Sequence, residues 1–97
     1  MSTDLTGQRF DLDGAWQLHP QVSIRPERFG ALLYHFGTRR LSFVKNAVLR
    51  DVVVALGCEP TARAALASCN VAAVDVPVIT RALAGLAASS MICERAA

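Results

Sequence analysis

Apolar and polar positions follow two rhythms along this chain. Through the first half the alternation has a period of two: Trp16 and Leu18, then Val22 and Ile24, then the apolar runs 31–36 and 41–44. That period sends successive side chains to opposite faces and predicts strands. From residue 47 onward apolar positions recur at three and four residues, the spacing of amphipathic helices.

The organising stretch is residues 23–46. The runs 31–36 and 41–44, rich in Leu, Phe, Tyr and Val, are separated by Gly37, Thr38, Arg39 and Arg40, a hairpin signal. Gly37 and Thr38 are expected at the tip of a two-residue type II′ turn, with Phe36 facing Arg39. Leu32, Tyr34 and Phe36 share one face of the first run and Ala31, Leu33 and His35 the other, so neither face is plainly solvated. One face packs on the domain, and the other is left to the chain's own N-terminal segment or to a partner. A strand ahead of the hairpin is expected over residues 21–25, with Pro26 ending its pairing. Trp16 is expected as a packing lid over the sheet.

Asn46 is a favoured N-cap for a helix over residues 47–56, in which Val48, Leu49, Val52, Val53 and Leu56 form the apolar face and Gly57 the stop. Pro60 and Thr61 open a second helix to about Ser68, burying Ala62, Ala65, Leu66 and Cys69, with Asn70 as a stop. The third runs from a cap at Asp75, with Pro77 in its first turn, to about Ser89. Its core face holds Val76, Ile79, Leu83, Leu86 and Ala87. Beside it lies a face of Val78, Ala82, Gly85 and Ser89, small enough to admit another backbone. The order of three strands and then three helices predicts an α+β domain, a three-stranded antiparallel sheet followed by a three-helix bundle of the winged-helix type.

Ninety-seven residues, 53% of them hydrophobic, suffice for one domain with one core. Residues 1–15, polar and punctuated by glycine, are expected to form a flexible arm, residues 16–92 the domain, and residues 93–97 a tail. No apolar run approaches the ~20 residues of a membrane helix, and no secretory signal opens the chain, so a cytoplasmic protein is expected. The net charge of +2 conceals a gradient. Asp4, Asp11 and Asp13 against Arg9 give residues 1–15 a charge of −2. Arg25, Arg28, Arg39, Arg40, Lys45 and Arg50 against Glu27 give residues 16–50 a charge of +5, and the remainder carries −1. The basic charge therefore sits on the hairpin, either to keep a sheet edge from sticking to other edges or to steer an acidic partner.

Candidate chemistry adds little. Cys58, Cys69 and Cys93 are odd in number and match neither a disulfide framework nor a paired metal motif. No Gly-rich phosphate loop, paired carboxylates on a helix or nucleophile with its base is present, so no catalytic, metal or cofactor residue is assigned. The chain reads as a binding module.

The run RPERFGALLYHFGTRRLSFVKN at residues 25–46, the helix that follows it, and DVPVITRALAGLAASSMI at residues 75–92 resemble the small peptide chaperones of mycofactocin biosynthesis. These belong with the pyrroloquinoline quinone chaperone group of precursor-peptide recognition elements. The resemblance covers residues 16–92; its hairpin part is specific and its Ala-rich helices are not. It implies a winged-helix-like domain that grips the leader of a ribosomally made precursor peptide and delivers it to a radical S-adenosylmethionine maturase, which carries the iron–sulfur clusters. The implied grip is β-augmentation along the third strand. The site residues are Arg39, Arg40, Leu41, Ser42, Phe43, Val44 and Lys45 on the hairpin. The opposite wall is the last helix, either its small face, Val78, Ala82 and Gly85 with Ser89, or the rim of its core face at Ile79 and Leu86. The rival class is a winged-helix DNA-binding protein. It is disfavoured because the second helix offers base edges and phosphates only Arg63, and the last helix only Arg81.

Overall fold

The computed structural model describes residues 10–95. Five strands and three helices follow one another as β1 Trp16–Leu18, β2 Val22–Glu27, β3 Gly30–His35, β4 Arg40–Val44, α1 Ala47–Leu56, α2 Ala62–Ser68, α3 Val76–Ala88 and β5 Ile92–Glu94, with a 3-10 turn at Ala73–Asp75 leading into α3. The fold is thus α+β, but the described residues form two antiparallel sheets rather than one. The expected three-stranded sheet is β2-β3-β4; the second pairs β1 with β5, Gln17 opposite Cys93.

That second sheet corrects the reading of both ends. Cys93 and Glu94 belong to a strand instead of a tail, and Ile92 beside them is fully buried. Arg95 then donates from its guanidinium to the carbonyls of Leu56, Glu59 and Pro60, at 3.0, 2.7 and 3.3 Å, placing a cation where α1 leaves carbonyls without helical partners. The expected N-terminal arm falls mostly on residues 1–9, outside the described residues. Its last part packs: Phe10 lies 4.9 Å from the Trp16 ring, and the carbonyls of Leu12 and Gly14 accept from the first amides of α2, Arg63 at 2.8 Å and Ala62 at 3.0 Å. Trp16 itself is fully buried, with its indole N–H on the carbonyl of Asp11 at 2.9 Å. It forms part of β1 and of the core.

The helices start and stop largely for the reasons their sequences suggest. Asn46 caps α1, its Oδ1 accepting from the amides of Val48 and Leu49 at 2.8 and 3.1 Å. Thr61 caps α2 through a 3.0 Å bond from the Ala64 amide. Asn70, with φ 57°, takes the left-handed residue that closes α2, and Ser90, with φ 64°, does the same for α3. Two details differ. Asp75 already has helical dihedrals and makes no side-chain cap bond, because the 3-10 turn delivers the chain to α3 in helical conformation. Val48 falls outside the buried face of α1, which is Leu49, Val52, Val53 and Leu56.

The core gathers these faces together. Leu33 from the sheet, Val52, Val53 and Leu56 from α1, Leu83 from α3, and Trp16, Met91 and Ile92 from the chain ends are its largest fully buried side chains. Helix α1 packs on β3 and β4, while α3 packs on β5 and α1.

Hairpin and helix meet at Gly30. A Cβ there would collide with the carbonyl oxygen of Val44 and stand 2.9 Å from the amide nitrogen of Asn46, so only glycine lets the two backbones approach this closely. Arg50 of α1 ties the same corner by donating to the carbonyls of Glu27 and Gly30, at 3.1 and 3.5 Å. Gly30→Ala is expected to lower the unfolding free energy by about 1–3 kcal/mol, as overpacking does, in urea titrations followed by circular dichroism. Unaltered stability would mean that the corner yields without strain.

Candidate functional site

The hairpin presents two unlike faces. Ala31, Leu33 and His35 of β3, with Val22 of β2 and Val44 of β4, are buried on the core side. On the outer side Leu32 sits opposite Phe43 and Tyr34 opposite Leu41, with Phe36 packed edge-on against Tyr34 at 5.1 Å. Phe36, Leu41 and Phe43 are among the most exposed large apolar side chains, Phe43 at 68%.

The pairing register of β3 and β4 is the expected one, but the tip is not a type II′ turn. His35 and Arg40 are the last partners, so four residues, 36–39, close the hairpin. The left-handed residue is Arg39, at φ 63°, and Gly37 is not left-handed. The physical cause is the buried imidazole of His35, whose Nδ1 accepts from the amides of both Gly37 and Thr38, at 3.0 and 3.1 Å. Its ring proton is consequently on Nε2. The His35 carbonyl takes the Arg39 amide at 2.7 Å.

Backbone parity decides which sheet edge is open. Along a strand the amide and carbonyl of one residue point to one side and those of the next to the other. The Phe36 amide donates to the Gln21 carbonyl at 2.8 Å, continuing the β2–β3 register by one step. Tyr34 and Leu32 therefore face β2, and Leu33 and Ala31 face β4, where their partners are Ser42 and Val44. The backbones of Leu41 and Phe43 are left pointing outward along an edge that no other described strand pairs with.

The opposite edge is nearly closed by the same rule. In β2 the outward-facing residues are Val22, Ile24 and Pro26; the Val22 amide is taken by the His19 carbonyl at 2.9 Å, and Pro26 has no amide. This corrects the expectation that Pro26 ends the strand. It pairs with Ala31, because its missing donor points away from the sheet.

Of the hairpin residues singled out in the sequence, Arg39 belongs to the tip, Arg40, Leu41, Ser42, Phe43 and Val44 form β4, and Lys45 follows it. On α3, Ile79 and Leu86 are core residues, whereas Val78 is 58% exposed and Gly85 has nothing within 4 Å of where a Cβ would stand. Ala82 and Ser89 are half-buried. The exposed side of α3 takes in Val78 and Gly85 of the small face together with Pro77, Arg81, Ala84 and Ala88. The sequence reading passed over Phe29, which at 74% exposure stands on the β2–β3 turn. With Ala31, Phe43 and Val44 it lines an apolar cleft of about 270 Å³ at the end of β4. An isolated aromatic beside a glycine in a turn was the only signal for it.

Other chemistries find little support. Among the described residues no group of His, Cys, Asp and Glu is placed to hold a metal ion, and no helix is long and apolar enough to cross a membrane. The one basic side chain of α2, Arg63, is paired with Asp13 at 2.8 Å, and that guanidinium holds the Asp13 carboxyl below its ordinary pKa.

Comparison with known proteins now decides the family. Residues 15–93 match the model of the peptide chaperone MftB family. The chain belongs to that family. "Peptide chaperone MftB" of Mycolicibacterium smegmatis is 50% identical over 93 residues, covering 95% of this chain and 91% of the relative. The protein of the same name from Mycobacterium tuberculosis is 50% identical over 86 residues, 89% of this chain and 79% of the relative. That from Mycobacterium ulcerans is 49% identical over 92 residues. MftB relatives are named as peptide chaperones, not as enzymes. No solved structure matches the chain.

In this MftB-family chain two imidazoles support the hairpin tip. The rings of His19 and His35 lie 4.5 Å apart, and His19 Nδ1 accepts from the Gln21 amide at 3.0 Å. Burial, and then the neighbouring His35, hold the His19 pKa below its ordinary value. The unfolded chain therefore binds the proton more readily, and stability falls as the solution is acidified below the ordinary histidine range. Unfolding free energy is expected to decline between about pH 7 and about pH 5, with His19→Gln flattening the decline. An identical pH profile for the two proteins would contradict this role.

Proposed function

We propose that the chain is a peptide chaperone that holds the leader of a ribosomally made precursor peptide as an added strand beside β4 and delivers it to a radical S-adenosylmethionine maturase of mycofactocin biosynthesis. The proposed setting is the cytoplasm, and the proposed architecture is winged-helix-like, with β3 and β4 as the wing. One observation carries the reading: among the described residues nothing pairs with the outer edge of β4, where the Leu41 and Phe43 backbones are turned outward, while Val22 and Pro26 leave only Ile24 to donate along β2. Main-chain bonds to such an edge provide affinity, and side-chain pockets beside it provide selectivity.

Two further features support it. Arg39, Arg40 and Lys45 concentrate positive charge at that edge, which favours capture of an acidic segment. On α3 the small residues, Val78 and Gly85 exposed and Ala82 and Ser89 half-buried, suit a wall against which a peptide backbone lies close. The DNA-binding alternative has no such support, since Arg63 is already paired and the rest of α2 is Ala, Leu and Ser.

Proline substitutions separate the two sides of β4. Phe43→Pro removes an outward donor and is expected to weaken binding of labelled precursor peptide at least tenfold, about 1.4 kcal/mol, with the circular dichroism spectrum retained. Ser42→Pro removes a donor that faces β3 and is expected to destabilise the hairpin itself. Equal affinity for wild type and Phe43→Pro would remove β4 from the site. In the same titration Gly85→Phe, at a position with nothing within 4 Å of where its Cβ would stand, is expected to weaken binding without lowering the melting temperature; normal binding would place the second wall elsewhere.

A further inference from the structure

We infer that the cleft framed by Phe29 and Phe43 is an anchoring pocket for one bulky apolar side chain, aliphatic or aromatic, of the peptide held along β4. The inference rests on the strand-addition reading and adds to it the class of residue that sets selectivity.

Phe29 and Phe43 come from different segments, the β2–β3 turn and the end of β4, and both are strongly exposed, at 74% and 68%. Between them Ala31 and Val44 form the remaining apolar lining, with Glu27 and Lys45 alongside. Two exposed phenyl groups facing one cavity leave apolar surface in water, and a side chain entering between them would remove it. The cleft is held open by its framework. Gly30, another of its lining residues, admits no side chain because the Val44 carbonyl crosses over it, and Arg50 ties the carbonyls of Glu27 and Gly30 to α1. A volume of about 270 Å³ lies just below the range of ~300–1,000 Å³ usual for small-molecule and cofactor pockets. One large side chain suits it better than a cofactor.

The occupant follows from continuity with the open edge. Phe43 belongs to both features: its backbone is turned outward for a new strand, and its ring forms one side of the cleft. A segment bonded along Leu41 and Phe43 therefore runs past the cleft, and residues at alternate positions of that segment project to a given face. Main-chain bonds at the edge would accept many sequences; a bulky apolar residue at one position would fix which of them bind and in what register.

A double-mutant cycle tests this. The probe is the labelled mycofactocin precursor peptide, with variants in which each bulky apolar residue in turn is replaced by Ala, titrated against wild type, Phe29→Ala and Leu41→Pro, the last removing an outward donor at a residue that does not line the cleft. Phe29 is exposed on a turn, so its removal should leave the circular dichroism spectrum intact. Phe29→Ala is expected to weaken the unaltered peptide roughly tenfold. One peptide variant should lose a similar factor on wild type and lose little more on Phe29→Ala, the non-additivity of a direct contact. If Phe29→Ala binds like wild type, or if its loss is the same for every peptide variant, the pocket is overturned while sensitivity to Leu41→Pro would keep strand addition standing. If wild type does not bind the peptide, or if Leu41→Pro binds it normally, the strand-addition reading fails and the pocket with it.

Discussion

The alternation of backbone direction along a strand governs this molecule more than any single side chain does. Strand β3 lies between β2 and β4 and uses its backbone on both sides. Once Phe36 donates to Gln21, the direction of every other amide in the hairpin follows. Pro26 is tolerated inside a paired strand, Val22 is free to close the turn from His19, and Leu41 and Phe43 are turned to the outside. An open edge at β4 and a nearly closed one at β2 are consequences of the same parity, which is why the proposed peptide site falls on the strand that ends the sheet.

The rest of the fold holds that edge in place. Asn46 starts α1 immediately after β4, Gly30 lets the Val44 backbone cross close above it, and Arg50 binds the β2–β3 turn to α1. His35 fixes the tip from below. Both ends of the hairpin are thus anchored by hydrogen bonds, while its outer face keeps Leu41, Phe43 and Phe36 exposed. Pre-organisation of this kind reduces the ordering cost of binding, and it is consistent with a chain whose relatives are named as peptide chaperones.

Much of this was legible in the sequence, and the misses have physical reasons. The hairpin register, the span of α1 with its Asn46 cap, and the core face of α3 follow from periodicity and local capping, which depend on near neighbours. The hairpin tip was misread because a buried side chain, His35, supplies the acceptor that a tight turn would otherwise provide through its backbone. The β1–β5 sheet was missed because three-residue strands at opposite ends of the chain carry almost no local pattern, and their pairing is a tertiary event. Phe29 and its cleft were missed for a similar cause. Its partners, Phe43 and Val44, lie on another strand, so nothing at residue 29 announces a pocket. On α3 the sequence left two faces open as the wall; Ile79 and Leu86 prove to be core residues, while Val78 and Gly85 are exposed and Ala82 and Ser89 half-buried.

Amide hydrogen exchange, resolved by residue with and without the precursor peptide, tests the central claim most directly. In the free protein the Ser42 amide should be protected by its pairing with β3, while Leu41 and Phe43 exchange rapidly from the open edge. Saturating peptide should slow Leu41 and Phe43 strongly and leave Ile24 on the β2 edge unchanged. Rapid exchange at Leu41 and Phe43 in the saturated complex, or new protection at Ile24 instead, would contradict strand addition at β4.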